Sequence, residues 1–389
     1  MTRTVNCVRA ALACAFMAGT CHAQAADTAR AWSFDAVFTS HMMDDVRGGL
    51  RRGGQAMNDL EATATWQGDH GWNAFADVQV TNHDGFSAAY VGDGQTVSNV
   101  DLPPGIHLGE AWIARASDGQ HFNTTLGLVS VNDIFDVQDA GALFLNASHG
   151  FGIDFSQSGA SAKPLSALGF VEEWTPSGSW RFRAGLFDAV GGDPLHDKAF
   201  FAARLSRAEG LQYQLEAEKD FSGGYVKLGH WANTVPADPL DGTGPRRRYR
   251  GTYGQVKLTL FSEKADADQG LQAWLRAGVA EAHVLPVAEY DGGGMVYTGL
   301  LPGRDHDQFG FAIAHARYGS AYATAAGEAA TAETAYELAY QYEVRPGVTL
   351  QPDVQYVQHP SGLPSVRDAV VIGLAVRIGL ADLLARQAS

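Results

Sequence analysis

The sequence predicts an all-β protein: a transmembrane antiparallel up-and-down β-barrel of about 16 strands, with loops that fold inward. First, apolar and polar residues alternate along most of the 389-residue chain, as side chains do on the two faces of a strand. Second, these segments are about nine residues long, enough for a tilted strand to cross a bilayer. Third, aromatic residues lie near their ends, where membrane barrels carry interfacial belts: Trp32, Trp66, Trp72, Trp174, Trp180, Tyr225, Trp231 and Tyr356. A soluble β-sandwich also alternates and is the alternative architecture.

The N-terminal residues 1–25 are predicted to be a secretory signal peptide. Arg3 and Arg9 make a positive start, residues 10–19 are apolar and rich in alanine, and 23–25 read Ala-Gln-Ala, a cleavage signal. The barrel is therefore expected to occupy residues 26–380.

Cysteine and charge exclude several classes of function. All three cysteines lie in the predicted signal peptide, so the mature chain has no disulfide, cysteine nucleophile or cysteine metal ligand. Removing that segment takes away two arginines and no acid, which makes the net charge −17. Such an acidic chain repels nucleic acid, and no motif implies a cofactor or metal.

The clearest strand lies at 211–219, where Leu211, Tyr213 and Leu215 alternate with glutamine and glutamate. The chain offers about 17 such segments between residues 32 and 380, one of them at 198–206. Since single-chain bacterial barrels have an even number of strands, 16 are expected and one segment is surplus. Residues 381–389 are expected to form a short, helix-prone C-terminal tail.

Two long connections interrupt the strands. Residues 132–167 carry many apolar side chains together with Asp133, Asp136, Asp139 and Asp154. Because a solvated loop rarely exposes so much apolar surface, this segment is predicted to fold into the barrel and turn its acids toward a constriction. An external cap that packs on itself is the alternative. The connection at 82–107 is predicted to be either a second inner loop or an oligomer contact.

Several stretches resemble a known family. They are residues 48–53, 135–146, 154–159 (Asp-Phe-Ser-Gln-Ser-Gly), 185–188 and 345–356, which includes Leu-Gln-Pro-Asp-Val-Gln-Tyr. On these stretches the sequence is similar to the OprB-type carbohydrate-selective porins of the bacterial outer membrane. The resemblance implies a 16-stranded barrel with inward loops, and diffusion of sugars such as glucose through an arginine-bearing constriction. The C-terminal tail departs from the aromatic final residue usual in such barrels.

The candidate sugar site follows from the chemistry of a neutral, hydroxyl-rich solute, which needs hydrogen-bond donors, carboxylate acceptors and flat aromatic faces in a wet pore. Arg181 and Arg183 are two residues apart and share the inward face of one strand. The full set of predicted constriction residues is Arg51, Arg52, Glu110, Trp112, Asp133, Asp136, Arg181, Arg183 and Asp188. The alternative is that these groups brace the wall and the inner loop.

The sequence therefore predicts an outer-membrane channel for small carbohydrates and not an enzyme. A general or polyol/organic-acid porin is the closest alternative, and a barrel lipase or deacylase or a surface adhesin are the others. Expected partners are small sugars, outer-membrane lipid, lipopolysaccharide and the barrel-assembly machinery, with a homotrimer and a monomer both open. The basic stretch 246–250 is predicted either to touch lipopolysaccharide phosphates or to gather anions at the mouth.

Overall fold

The computed structural model describes residues 31–82, 85–192, 199–201, 203, 205–263 and 269–385. The predicted signal peptide and the last four residues of the tail lie outside this part of the chain.

Within the described residues, sixteen antiparallel strands close into one barrel, in which each strand pairs with its chain neighbours and β1 pairs with β16. The predicted fold class and strand number are confirmed. The strands are β1 (Ala31–Gly49), β2 (Gly53–Gln67), β3 (Trp72–Thr81), β4 (Gly105–Ala116), β5 (Phe122–Val129), β6 (Ala167–Ser177), β7 (Trp180–Asp188), β8 (Leu211–Phe221), β9 (Gly224–Asn233), β10 (Arg250–Ser262), β11 (Gly270–Ala280), β12 (Val287–Thr298), β13 (Gln308–Tyr318), β14 (Ala332–Arg345), β15 (Val348–Gln358) and β16 (Arg367–Gly379).

Helices are short and lie in connections or at the C-terminus. They are α1 (Ala147–Gly150), α2 (Ile153–Ser156), α3 (Ser320–Ala326) and α4 (Leu380–Ala385), with further single helical turns at Asp69–Gly71, Ser87–Val91, Val131–Asp133, Asp139–Leu143 and Pro360–Gly362. Helix α4 occupies the start of the tail. None of the described helices has the length and apolar character to cross a membrane.

The surplus strand is the segment at 198–206. Its described residues form bends at 199–201 and irregular backbone at 203, 205 and 206, within the long connection 189–210 between β7 and β8. The Phe200 carbonyl accepts a hydrogen bond from the Leu108 amide at 2.6 Å, so the segment is tied to β4 and adds no strand of its own. With it removed, short turns lie at one end of the barrel and nearly all the longer connections at the other.

Strand β12 (Val287–Thr298) contains a run of glycines at 292–294, which carries no alternation of apolar and polar side chains. A Cβ on Gly294 would approach the Trp274 ring to 2.3 Å. Glycine at this point of β12 therefore leaves room for the Trp274 ring, which points inward from β11.

The two faces of the strands separate as predicted. In β8, Leu211, Tyr213 and Leu215 point outward and are exposed, whereas Gln214 and Glu216 point inward and are buried. The outward face suits acyl chains, and the inward face carries the hydrogen-bonding groups.

Most of the predicted interfacial aromatics lie on the outward face. Trp32, Trp72, Trp174 and Trp180 are exposed near the end of the barrel with the short turns. The prediction was wrong for Tyr225 and Trp231, which are buried on the inward face. The Trp231 ring stacks on Phe155 with centroids 5.2 Å apart, so its position near a strand end serves loop packing.

Two long connections fill much of the barrel interior. We name residues 85–104 the first inner loop and residues 130–166 the second inner loop. Apolar side chains of both loops pack with inward residues of the strands in buried clusters. The predicted inward folding of residues 132–167 is confirmed, and the connection after β3 is an inner loop.

Candidate functional site

The second inner loop reaches the far wall because its apolar side chains have partners there. Phe155 stacks on Trp231 of β9, and Phe144 packs against Trp274 of β11 at 5.4 Å between centroids. Burial of each such aromatic side chain stabilises the loop by about 2–3 kcal/mol relative to exposure. These contacts bring the loop's aspartates to the wall formed by β7–β12.

Arg276 of β11 clamps the loop at two aspartates. Its guanidinium donates to both Asp136 oxygens at 2.7–3.0 Å and to Asp154 at 2.6 Å. The guanidinium also lies 5.2 Å from the Tyr253 ring and 5.1 Å from the Tyr290 ring. Asp136 has φ +57°, a left-handed conformation that is uncommon outside glycine, and these contacts hold it there.

A second cationic group stands on β7. Arg183 donates to Glu173 at 2.8 Å, Glu216 at 2.5 Å and Glu218 at 2.8 Å, and its side chain is only 1% exposed. Glu216 also accepts the Asp136 amide at 2.9 Å. Arg183 is thus linked to the inner loop through Glu216.

Further side chains of this wall hold the loop backbone. Lys227 donates to the Val137 carbonyl at 2.9 Å, and Lys257 pairs with Asp139 at 3.1 Å. The Gln138 amide donates to Gln255 at 2.7 Å. Each of the loop residues 136–139 therefore makes a hydrogen bond or ion pair with β9, β10 or β11.

The opposite wall, β2–β4, is acidic. Lys163, near the end of the second inner loop, lies 3.0 Å from Glu61, 3.5 Å from Asp133 and 3.8 Å from Asp77. Burial disfavours the charged ammonium, but the surrounding carboxylates outweigh it and hold the pKa of Lys163 well above its usual value. Glu110 accepts the Ser130 amide at 2.7 Å and so anchors the start of the loop.

The first inner loop is held by the third side of the barrel. Glu333 of β14 accepts the amides of Gly94 at 2.8 Å and Gln95 at 3.0 Å. Gln355 of β15 donates to the Val97 carbonyl at 2.7 Å. Carboxylates and amides placed at buried inward positions thus satisfy loop backbone groups that would otherwise lose hydrogen bonds.

Some of the predicted constriction residues are partly exposed to solvent and others are buried. Arg181 and Asp133 keep 27% and 25% of their side chains exposed, and each lies in a charged cluster facing the lumen. Arg183, Asp136 and Glu110 are buried in ion pairs or loop anchors.

The other predicted residues lie apart from these clusters. Trp112 points inward and is half-buried, its ring 5.4 Å from Phe75. Arg51 and Arg52 are exposed at the rim, where Arg51 donates to the Ala89 carbonyl at 3.0 Å and covers the Tyr90 ring. Asp188 is buried at the end of β7.

Sequence reasoning missed several charged groups of these clusters: Glu61, Asp77, Lys163, Glu173, Glu216, Glu218, Lys227, Lys257 and Arg276. The alternation already put Glu216 and Glu218 on the wet face, and the same rule applied to β11 would have found Arg276. No comparable signal marks Lys163, which lies in the loop.

The accessible part of the site can hydrogen-bond a neutral polar solute from two sides. Arg181 beside Glu173, Lys257 beside Asp139, and Lys163 beside Glu61 each place a donor next to an acceptor. In the described part of the chain, no three His, Cys, Asp or Glu side chains are arranged to hold a metal ion.

Comparison with known proteins gives one family and several structures. The family described as carbohydrate-selective porin, OprB family, matches residues 50–380. A high-pH structure of Pseudomonas putida OprB is similar, with TM-score 0.79 and 18% identity over 90% of this chain and 94% of that one. A mutant of the Rh. blastica porin has TM-score 0.56 and 12% identity over 90% of this chain and 100% of that one.

The outer-membrane channel DcaP of Acinetobacter baumannii also has TM-score 0.56, with 9% identity over 91% of this chain and 98% of that one. At these identities the structures establish a shared fold. No curated protein matches the sequence.

Proposed function

Because the chain belongs to the OprB family of carbohydrate-selective porins, we propose that its two charged walls form the sugar-selective constriction of the pore. The protein is an outer-membrane porin through which small carbohydrates diffuse, a channel rather than an enzyme. The observation that carries the proposal is the pairing of donors and acceptors on both accessible walls, with Arg181 and Glu173 on one and Lys163 and Glu61 on the other.

Paired charges suit a neutral solute. A sugar hydroxyl donates to a carboxylate and accepts from a guanidinium or ammonium, so neighbouring groups of opposite sign satisfy both ends of one hydroxyl. An ion meets a group of its own sign beside each attractive one. Since these side chains keep contact with water, each sugar contact replaces a water contact and binding stays weak enough for release.

Trp112 supplies the aromatic part of the proposed site. Its ring points inward on β4, backed by Phe75, in the strand that also carries Glu110. A flat apolar face beside charged groups matches the apolar face of a pyranose ring next to its hydroxyls. Arg51 and Arg52, at the rim, are proposed to meet the sugar before the constriction.

Export and assembly are part of the same proposal. Residues 1–25 direct export as a cleaved signal peptide, and the barrel-assembly machinery inserts the chain with its longer loops facing outward. The barrel then lies in the membrane as a monomer or a homotrimer, and lipopolysaccharide surrounds its outer half.

The test is single-channel current across planar bilayers with added mono- and disaccharides. Wild-type protein is expected to show open steps that sugar blocks saturably, and Trp112→Leu is expected to weaken the block about fivefold, the factor for about 1 kcal/mol. Trp72→Leu, an outward ring of the interfacial belt, is the matched control and should leave the block unchanged.

Other outcomes identify the alternatives. Open steps that no sugar blocks indicate a general porin, and block by polyols or organic acids alone indicates a different solute. Surface binding without conductance indicates an adhesin. Ester hydrolysis lost on changing one serine or histidine indicates a barrel enzyme.

A further inference from the structure

Two depressions adjoin each other on the lipid-facing side of the wall. The larger, about 500 Å³, runs across β6–β10 from Trp174 and Phe182 to His230 and Thr252. The smaller, about 310 Å³, continues from His230 and Thr252 to Arg250 at the rim. We name the two together the outer-wall groove.

Small side chains create the groove. Ala184 and Ala217 lie at outward positions of β7 and β8, between the larger Leu215 and Leu228. Ala184 pairs with Leu215, and Leu215 pairs with His230 of the next strand. From β6 to β10 the larger depression crosses four strand spacings, roughly 19 Å in all. Most of the surface that it exposes is apolar, whereas the smaller depression toward the rim is more polar and is lined by Arg250 and Glu281. These dimensions fit a slender hydrocarbon chain.

The rim end of the groove is basic. Arg246, Arg247, Arg248 and Arg250 are all exposed in the connection before β10 and at the first residue of that strand. Arg246 pairs with Asp238 at 3.2 Å and Arg247 lies 3.9 Å from Glu281. Among the described residues, Arg248 and Arg250 have no carboxylate partner, so two guanidinium groups face solvent in a chain that is otherwise strongly acidic.

The rim lies at the outer surface of the membrane. Bacterial barrels place their short turns on the periplasmic side and their longer loops outside, and the connection with these arginines spans residues 234–249. The groove therefore descends from the outer headgroup level toward the hydrocarbon, with cations at the top and apolar side chains below.

We propose that the outer-wall groove binds a phosphorylated glycolipid of the outer leaflet. Arg248 and Arg250 hold the phosphate, for which guanidinium groups are well matched, and one acyl chain lies against Ala184 and Ala217. His230 donates to or accepts from Thr252 at 2.9 Å at the junction, where the polar part of the lipid meets its chains. Charge complementarity favours this occupant over a second, equally acidic copy of the chain.

The first test removes the unpaired cations. Binding of bisphosphorylated lipid A to detergent-solubilised full-length protein is measured by native mass spectrometry and by titration. Arg248→Gln with Arg250→Gln is expected to weaken binding about 30-fold, since each surface cation contributes about a factor of five. Arg115→Gln is the control, because Arg115 is exposed on the outer face of β4 near the opposite end of the barrel.

The second test fills the groove. Ala217→Phe is expected to weaken lipid A binding, whereas Ala76→Phe, an outward alanine of β3 away from the groove, is expected to leave it unchanged. Circular dichroism and single-channel conductance show that each variant is folded and open. The proposal is independent of sugar block, so its failure leaves the porin assignment intact.

Several results would overturn the proposal. They are unchanged lipid A binding in the double arginine variant or in Ala217→Phe, equal binding of dephosphorylated lipid A, and equal binding of phosphatidylglycerol. Competition by inorganic phosphate at micromolar concentration would show a free-anion site and overturn it as well. Dimers that Ala217→Phe disrupts, with lipid binding unchanged, would identify a second copy as the occupant.

Discussion

The wall formed by β7–β12 and the wall formed by β2–β4 use charge in opposite ways. On the first, Arg183 and Arg276 are buried among carboxylates and tie the second inner loop in place. On the second, Lys163 lies among the carboxylates of Glu61, Asp77, Glu110 and Asp133 and keeps partial access to the lumen. The buried pairs hold the inner loop in place, whereas the accessible groups are the ones that we propose contact the solute.

The largest expected effect comes from breaking the first wall. Arg276→Met leaves Asp136 and Asp154 buried without their cation, which costs about 3–5 kcal/mol. The second inner loop is expected to leave the far wall, so single-channel conductance rises and the unfolding temperature falls. Arg317→Met, which breaks an exposed outward pair with Glu289, costs less than about 1 kcal/mol and is the control. Equal conductance in the two variants would contradict the clamp.

The next effect comes from the acidic wall. Lys163→Met removes the cation that faces Glu61 and Asp133, and we expect the ratio of cation to anion permeability to rise about fivefold. This factor corresponds to about 1 kcal/mol, the interaction energy of two unit charges in water-like surroundings. The measurement is the reversal potential in a potassium chloride gradient. Arg115→Gln, outside the lumen, should leave the potential unchanged, and a shift toward anions would refute the assignment.

A smaller effect separates two neighbouring arginines of β7. Arg181→Gln is expected to weaken sugar block about threefold through loss of one accessible donor, with little change in stability. Arg183→Gln should lower the unfolding temperature more and the sugar block less, because its guanidinium is buried and pairs with three carboxylates. Titration of the block with glucose compares them, and a larger effect on block from Arg183 would reverse the roles.

At neutral pH the smallest effect comes from His149, which alters loop packing only as the solution is acidified. Burial lowers the pKa of His149 to about 3 from its usual 6.5, so the packed loop holds a neutral imidazole and a released loop a more basic one. Packing is therefore fully stable above pH 6.5 and loses stability progressively as the pH falls from 6.5 toward 3, because the released loop takes up a proton that the packed loop does not. Conductance at acidic pH should rise in wild type.

His149→Phe provides the matched comparison for this prediction. The variant keeps a ring against Phe144 and Trp274 but removes the titrating group, while the facing carboxylate of Glu337 stays. We expect a flatter conductance–pH curve between pH 7 and 4. Identical curves would show that another group controls the response.

Much of the fold could be predicted from local pattern. Alternation put Leu215 outside and Glu216 inside, and the apolar content of residues 132–167 predicted an inner loop. The same reasoning failed for Trp231, because aromatic residues near strand ends serve either a membrane belt or loop packing and only the parity of the strand separates them.

The sequence by itself determined the two faces of each strand, the barrel and the inward loop, because side-chain alternation and apolar content act over a few neighbouring residues. Only the tertiary structure decided which charges meet. Arg276 and Asp136 are 140 residues apart, and Lys163 reaches Glu61 across 102. Such pairs depend on the path of a loop through the barrel, and that path results from many packing contacts that no short stretch of sequence contains.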